Sequence, residues 1–161
     1  GYVRVGTNDL ERPSHFYDGL RASLALGRVE SDPGYGAYAP QAAPDAIEFY
    51  VTLTFVRQPA HHGNWSMIAF SAKSRAIFDR FHEIGLQNGC RDEGAPGPRP
   101  PDAPRDEPID DEPVDDEPID DEPVDDEPID DEPIDDEQVY YAYVRDLDGN
   151  KICVFHDGTN A

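Results

Sequence analysis

The feature that most constrains the fold of this chain is an internal repeat. A short strand pattern followed by a helical stripe of apolar residues occupies residues 2–24, and the same order returns in residues 66–84. Val3 corresponds to Ile68, which sets the offset between the two copies at 65 residues. A supersecondary unit written twice predicts two stacked modules rather than one irregular domain.

Each copy continues into strands. Residues 46–55 (AIEFYVTLTF) are β-branched and aromatic and predict a strand. In the second copy, residues 140–145 and 151–156 predict a hairpin around Asp148-Gly149, a strong turn signal. The strand residue Ile47 corresponds to Ile152 at an offset near 105, so the second copy is about 40 residues longer than the first. We divide the chain into a first module, 1–60, and a second module, 61–161.

Caps and stops bound the two predicted helices. Asp9 is a predicted N-cap of the first helix, and Gly27 is its predicted stop. Ser74 is the predicted N-cap of the second helix, which should end at Asn88-Gly89. Proline and glycine punctuate the stretch between the first helix and Asp45.

The extra length of the second module is an acidic pentapeptide repeat. Six DEP[IV]D units and a final Asp-Glu fill residues 106–137 with 20 acids and no Lys or Arg. The chain carries a net charge of −22, but outside this tract 15 acids face 13 bases. Regular proline and mutual repulsion favour an extended, disordered loop, and one Ile or Val per unit cannot bury enough surface to fold it. Slippage of a tolerated repeat, weak cation capture, docking of a basic partner and electrostatic screening of the cavity mouth stay open.

Three segments outside the tract resemble the vicinal-oxygen-chelate superfamily of glyoxalases, bleomycin resistance proteins and dioxygenases, including lactoylglutathione lyases. They are VRVGTNDLERPSHFYDGL, the stretch ending in GAPGPRP, and YYAYVRDLDGNKICVF. The resemblance implies an α+β fold of two βαβββ modules, each forming half of a U-shaped mixed sheet around a cavity. It also implies a small-molecule ligand, often bound over a divalent metal.

The alternation of side chains along each strand separates a helix-covered face from a cavity face. We expect the helices to cover Val3, Val5, Ile68, Phe70, Ile47, Phe49 and Val51. The candidate ligand-binding residues point the other way or lie at the entrance to the second module: Tyr2, Arg4, Tyr50, Met67, Trp65, Tyr141, Tyr143 and Cys153.

The metal positions of related glyoxalases correspond here to Tyr2, Glu48, Met67 and Cys153. Glu48 is the one residue that matches the family's ligand types. A carboxylate with a thioether and a thiol does not suit Zn²⁺, Ni²⁺ or Mg²⁺. We therefore expect no metal and no other cofactor.

Glu48 is the candidate catalytic residue, because a carboxylate in mid-strand on the cavity side is costly unless it has a role. It could act as a general base, orient a ligand or pair with Arg4, which could itself hold a substrate carboxylate. Cys153 is read as a buried, inert thiol and Met67 as a packing residue.

Three functions follow from these residues. The leading one is a metal-independent domain that binds a small organic molecule, with enzymatic activity undecided. The alternatives are a glyoxalase-type lyase or isomerase with Glu48 as base, and a protein that sequesters an antibiotic or metabolite.

Charge and hydropathy limit the partners. No basic cluster supports nucleic acid binding, and no apolar run approaches the ~20 residues that span a bilayer. Cys90 and Cys153 are too few for a disulfide framework, which favours a reducing cytoplasm. A homodimer stays open.

Overall fold

The computed structural model describes residues 1–56, 58–63, 66–98, 134 and 139–157. The acidic repeat therefore lies outside the described residues except for Ile134, and so does Trp65. The predicted disorder of the tract is not addressed by the described part of the chain.

The two modules contain the same elements in the same order. The first consists of β1 (Val3–Thr7), α1 (Glu11–Leu24), β2 (Leu26–Asp32), β3 (Tyr35–Pro40) and β4 (Phe49–Leu53). The second consists of β5 (Met67–Ser71), α2 (Arg75–Gln87), β6 (Arg91–Pro98), β7 (Tyr140–Arg145) and β8 (Lys151–His156). The predicted α+β class with two βαβββ modules is confirmed. No helix in the described ranges is long and apolar enough to cross a membrane.

Each module forms a four-stranded sheet with the same topology. The strand orders are β1-β4-β3-β2 and β5-β8-β7-β6. The first and last strands of each module are parallel, with Val3 opposite Phe49 and Met67 opposite Lys151. The other neighbours are antiparallel, and the predicted hairpin around Asp148-Gly149 joins β7 to β8 as expected.

The predicted stop of the first helix is wrong. The helix ends at Leu24, and Ala25 takes the left-handed conformation (φ 52°) that the prediction had assigned to glycine. Gly27 lies inside β2, opposite Ala39. Leu26 is buried as the first residue of β2, so the chain joins the sheet one residue before Gly27. At the start of the helix, the Asp9 carboxylate accepts the Glu11 amide hydrogen at 2.9 Å, although Leu10 holds the N-cap position.

The strand predicted over residues 46–55 is also too long. β4 covers only Phe49–Leu53, because its pairing with β3 runs only from Phe49 opposite Tyr38 to Thr52 opposite Tyr35, where β3 begins. Glu48 therefore precedes the strand, and its side chain is exposed. The desolvation cost that made it a catalytic candidate does not arise.

One hydrophobic core joins the modules. Phe16 of α1 packs against Phe81 of α2 with ring centres 6.2 Å apart, and Phe49 meets Phe70 at 5.7 Å. The predicted burial of Val5, Phe49 and Val51 is confirmed. Val3 is 48% exposed, contrary to prediction, because it is the first residue of a strand at the edge of its sheet.

Ile134, in the last unit of the acidic repeat, belongs to this core. It is 4% exposed, and its amide donates a hydrogen bond to the Lys73 carbonyl at 3.4 Å. One aliphatic side chain of the repeat is therefore buried in the core, although the sequence assigned no contact with the fold to any unit.

Candidate functional site

Each sheet has one face packed on the core and an opposite face, which we call its open face; that of the first sheet is partly exposed, whereas that of the second is largely buried, with Tyr143 8% and Cys153 0% exposed. Along β4, buried Phe49 and Val51 alternate with half-buried Tyr50 and Thr52. The side chains of these faces include an arginine or a lysine beside several aromatic rings. The two open faces are therefore the candidate site.

The open face of the first module is built around Arg4. Its guanidinium carbon lies 5.2 Å from the ring centre of Tyr2 and 5.0 Å from that of Tyr50, which is opposite Arg4 in the strand register. Tyr50 also meets Tyr2 edge-on at 5.1 Å and Tyr35 at 5.9 Å. We call these four residues the Arg4 face. Cation–π contacts of ~0.5–1 kcal/mol each hold the guanidinium in place while it stays exposed.

Glu48 does not pair with Arg4. Among the ion pairs of the described residues none involves Glu48. Its backbone is fixed, since the amide donates to Tyr38 at 3.1 Å and the carbonyl accepts from Val3 at 2.8 Å. The carboxylate itself is exposed next to the Arg4 face.

The open face of the second module carries an aromatic stack. Tyr141 and Tyr143 stack at 5.6 Å with an interplanar angle of 9°, and Tyr141 also stacks on Phe155 at 6.4 Å. The Lys151 ammonium lies 4.8 Å from the ring centre of Tyr143. Cys153 is opposite Tyr143 in register and fully buried. These five residues form the Tyr143 face, in which Tyr141, Phe155 and Lys151 are half-buried while Tyr143 and Cys153 are buried.

An ion cluster continues this face beyond Lys151. The Glu93 carboxylate accepts from Arg145 at 2.8 Å and lies 3.2 Å from Arg91 and 3.8 Å from Lys151. Arg145 also donates to the Gly149 carbonyl at 2.8 Å. Three cations thus surround one carboxylate in a mostly buried cluster.

The residues at the family's metal positions do not fit a metal ion. In register, Met67 faces Lys151 whereas Cys153 faces Ala69, and Met67 is 47% exposed while Cys153 is buried. In the described ranges, no group of three or more His, Cys, Asp or Glu could hold a metal. A phenol, a thioether and a buried thiol beside one carboxylate are poor ligands for a hard or borderline divalent ion.

A buried carboxylate fastens the two modules behind the open faces. Asp146 accepts hydrogen bonds from the Tyr17 hydroxyl at 2.6 Å and from the side-chain amide of Asn150 at 2.8 Å. The same Asn150 amide donates to the Gly6 carbonyl at 3.2 Å. Burial raises the pKa of Asp146, and these hydrogen bonds oppose that rise. Burial, and next the charge of Asp146, raises the pKa of Tyr17 well above its usual value.

A separate cleft of about 400 Å³ lies between α1 and the β2–β3 hairpin. Its walls include Asp18 and Arg28, which form an ion pair with each other. Tyr35 lines this cleft and also contacts Tyr50, and its hydrogen bond to Glu30 raises its pKa to about 12.

Most of the predicted site residues fall into two groups. Tyr2, Arg4 and Tyr50 meet on the Arg4 face, and Tyr141, Tyr143 and Cys153 meet on the Tyr143 face. Trp65 lies outside the described residues, and Met67 is the first residue of β5, an edge strand of its sheet. The sequence reasoning missed Tyr35, Lys151 and the ion cluster at Glu93. Strict alternation along β7, from Tyr141 through Tyr143 to Arg145, would have identified Arg145 as one of the cations of this cluster.

Solved structures with this fold include several glyoxalase-related proteins. A glyoxalase/bleomycin resistance protein from Albidiferax ferrireducens T118 is 31% identical, with a TM-score of 0.67 and 97% of each chain covered. A lactoylglutathione lyase from Agrobacterium tumefaciens is 13% identical, with a TM-score of 0.53, 99% of this chain and 94% of that chain covered. A fosfomycin resistance protein from Mesorhizobium loti is 15% identical, with a TM-score of 0.51, 97% of this chain and 89% of that chain covered.

The chain matches no family model and no curated protein. The two relatives of lower identity share the fold alone. The similarity to the Albidiferax protein extends over nearly the whole of both chains at 31% identity. The predicted membership of the vicinal-oxygen-chelate superfamily is confirmed, and the chain belongs to its glyoxalase/bleomycin resistance protein family.

Proposed function

We propose that the protein binds a small organic molecule on its open sheet faces without the help of a divalent metal. The observation that carries this proposal is the position of Arg4, whose exposed guanidinium is held between the rings of Tyr2 and Tyr50. The two rings fix the guanidinium while leaving it exposed, and none of the ion pairs among the described residues involves Arg4.

The chemistry of the two faces suggests the kind of ligand. A guanidinium binds a carboxylate or similar anion through two parallel hydrogen bonds. On the Tyr143 face, the half-buried rings of Tyr141 and Phe155 can contact an aromatic or conjugated group beside Lys151, whereas Tyr143 is 8% exposed and supports Tyr141 by stacking. An organic acid meets the requirement of the Arg4 face, and a planar conjugated acid also meets that of the Tyr143 face.

The donor set supports binding without metal. Tyr2, Met67 and Cys153 replace three of the family's four ligand positions with groups that divalent ions bind weakly. Orientation of the ligand then depends on Arg4 and the tyrosines.

Binding is better supported than catalysis. A general base works best with a pKa near the operating pH, which usually requires burial or a charged neighbour. The Glu48 carboxylate is exposed and Cys153 is fully buried, so neither has the surroundings of an activated group. We therefore favour sequestration of the ligand. The lyase or isomerase with Glu48 as base stays a prediction, as do a homodimer, a basic partner for the acidic tract and a cytoplasmic location.

The test is a binding screen of planar organic acids and their neutral amides or esters, measured by thermal shift and then by calorimetry. Arg4→Met should weaken binding of the acids by about tenfold or more, because a charge-assisted hydrogen bond is lost. Binding of neutral analogues should change little. Arg21→Met, on the exposed surface of α1, is the matched control and should behave as the natural protein. Equal binding of acids by the Arg4 and Arg21 variants would refute the assignment.

A further inference from the structure

The burial of Ile134 identifies a docking site that lies outside the open faces. Ile134 is 4% exposed within the hydrophobic core, and its amide donates to the carbonyl of Lys73 at 3.4 Å. We call the buried position that receives the Ile134 side chain beside Lys73 the Lys73 socket. It combines a main-chain hydrogen bond with burial of one aliphatic side chain, which is how many proteins recognise short extended peptides.

The sequence that supplies Ile134 is repeated five more times. The six DEP[IV]D units present an Ile or Val in the same setting, after Asp-Glu-Pro and before Asp, at Ile109, Val114, Ile119, Val124, Ile129 and Ile134. A socket that recognises one amide and one aliphatic side chain has little means of distinguishing these units. Replacing Ile by Val removes a single methylene, which costs a buried site little compared with emptying it.

We propose that the Lys73 socket accepts the other repeat units of the same chain in exchange with Ile134. The occupant is thus the tract itself, docked in several registers. Ile134 is six residues before Tyr140 and Ile129 is eleven before it. Closing a loop of twice the length lowers its statistical weight only about threefold, so the neighbouring unit competes closely with the last one.

The exchange would make the socket insensitive to loss of any single unit. It would also divide the tract into two loops of variable length, one on each side of the docked residue. The position of the carboxylates relative to the fold would then differ from one register to the next.

The experiment compares the fall in thermal midpoint that Ile134→Ala causes in two backgrounds. One background is the natural chain, and the other carries serine at Ile109, Val114, Ile119, Val124 and Ile129. The fall in thermal midpoint caused by Ile134→Ala should be at least twice as large in the serine background, where no other unit can fill the socket. The serine replacements alone should leave the midpoint unchanged while Ile134 is present.

Three results would overturn the proposal. An equal fall in thermal midpoint in both backgrounds would show that Ile134 alone fits the socket. An unchanged thermal midpoint in both backgrounds would show that the socket does not need an occupant. A rescue in the natural background that grows with protein concentration would show that the replacing unit comes from a second copy. Ile134→Val is the conservative control and should lower the thermal midpoint only slightly in both backgrounds.

Discussion

Replacing Tyr17 by phenylalanine removes one hydroxyl from the buried carboxylate that joins the two modules. The Tyr17 hydroxyl donates to Asp146 at 2.6 Å, and both residues are almost completely shielded from water. Phenylalanine fills the same volume, so the change isolates the hydrogen bond. A hydrogen bond to a charged group contributes ~1.5–3 kcal/mol, and we expect the free energy of unfolding to fall by about 2 kcal/mol.

Tyr38→Phe is the matched control. Tyr38 is equally buried, but its hydroxyl donates at 3.1 Å to Asp18, whose side chain is 42% exposed. Water can replace that hydroxyl, so the expected loss is below ~1 kcal/mol. Both losses can be measured by urea unfolding at a common slope.

The pH dependence of the Tyr17→Phe loss tests the same contact in another way. The pKa of Asp146 is raised in the fold by burial, so its contribution to stability is present at low pH and decreases as pH rises through that pKa. The Tyr17 hydroxyl stabilises the charged form, and its removal raises the pKa of Asp146 further. The loss should therefore be larger near pH 7 than near pH 4. If Tyr17→Phe lowered the free energy of unfolding only as much as Tyr38→Phe, or by an amount that does not change with pH, this reasoning would be refuted.

Three further predictions concern the metal and the acidic tract. Purified protein should hold well under one equivalent of Zn or Ni by elemental analysis; a stoichiometric metal that is lost in Glu48→Ala would contradict the donor-set argument. Deleting residues 106–130 should keep a cooperative thermal transition, because closure entropy changes slowly with loop length and Ile134 is retained, whereas deleting 106–137 should lower its midpoint; collapse on the shorter deletion would show a larger structural role. Association of a cationic ligand should slow as salt increases, and that of an anionic ligand should accelerate, in stopped-flow measurements, because the tract carries 20 acids. Identical salt slopes in the 106–130 deletion variant would show that the tract does not act on the site.

Sequence patterns predicted the fold well wherever local chemistry determined it. Asp148-Gly149 and Asn88-Gly89 ended their elements as predicted, because Gly149 and Gly89 take positive φ angles of 82° and 77°. The end of α1 was missed because Ala25 takes a left-handed conformation that local propensity disfavours. Only the burial of Leu26 in the next strand explains it.

The candidate site was predictable in part for the same reason. Alternation along the strands placed Arg4 and Tyr50 on one open face, which their contact confirms. The Glu93 cluster and the Asp146 hydrogen bonds depend on residues 52 and 129 positions apart in the chain, which no local pattern reveals. The docking of Ile134 was hidden because its unit has the same sequence as its neighbours.

The central claim is that a small organic molecule binds to the open faces without a divalent metal. The most direct measurement is a calorimetric titration of the acid that shows the greatest dependence on Arg4, carried out with and without EDTA. We expect the same dissociation constant in both conditions. Loss of binding in EDTA, with recovery on adding one equivalent of Zn²⁺ or Ni²⁺, would contradict the claim.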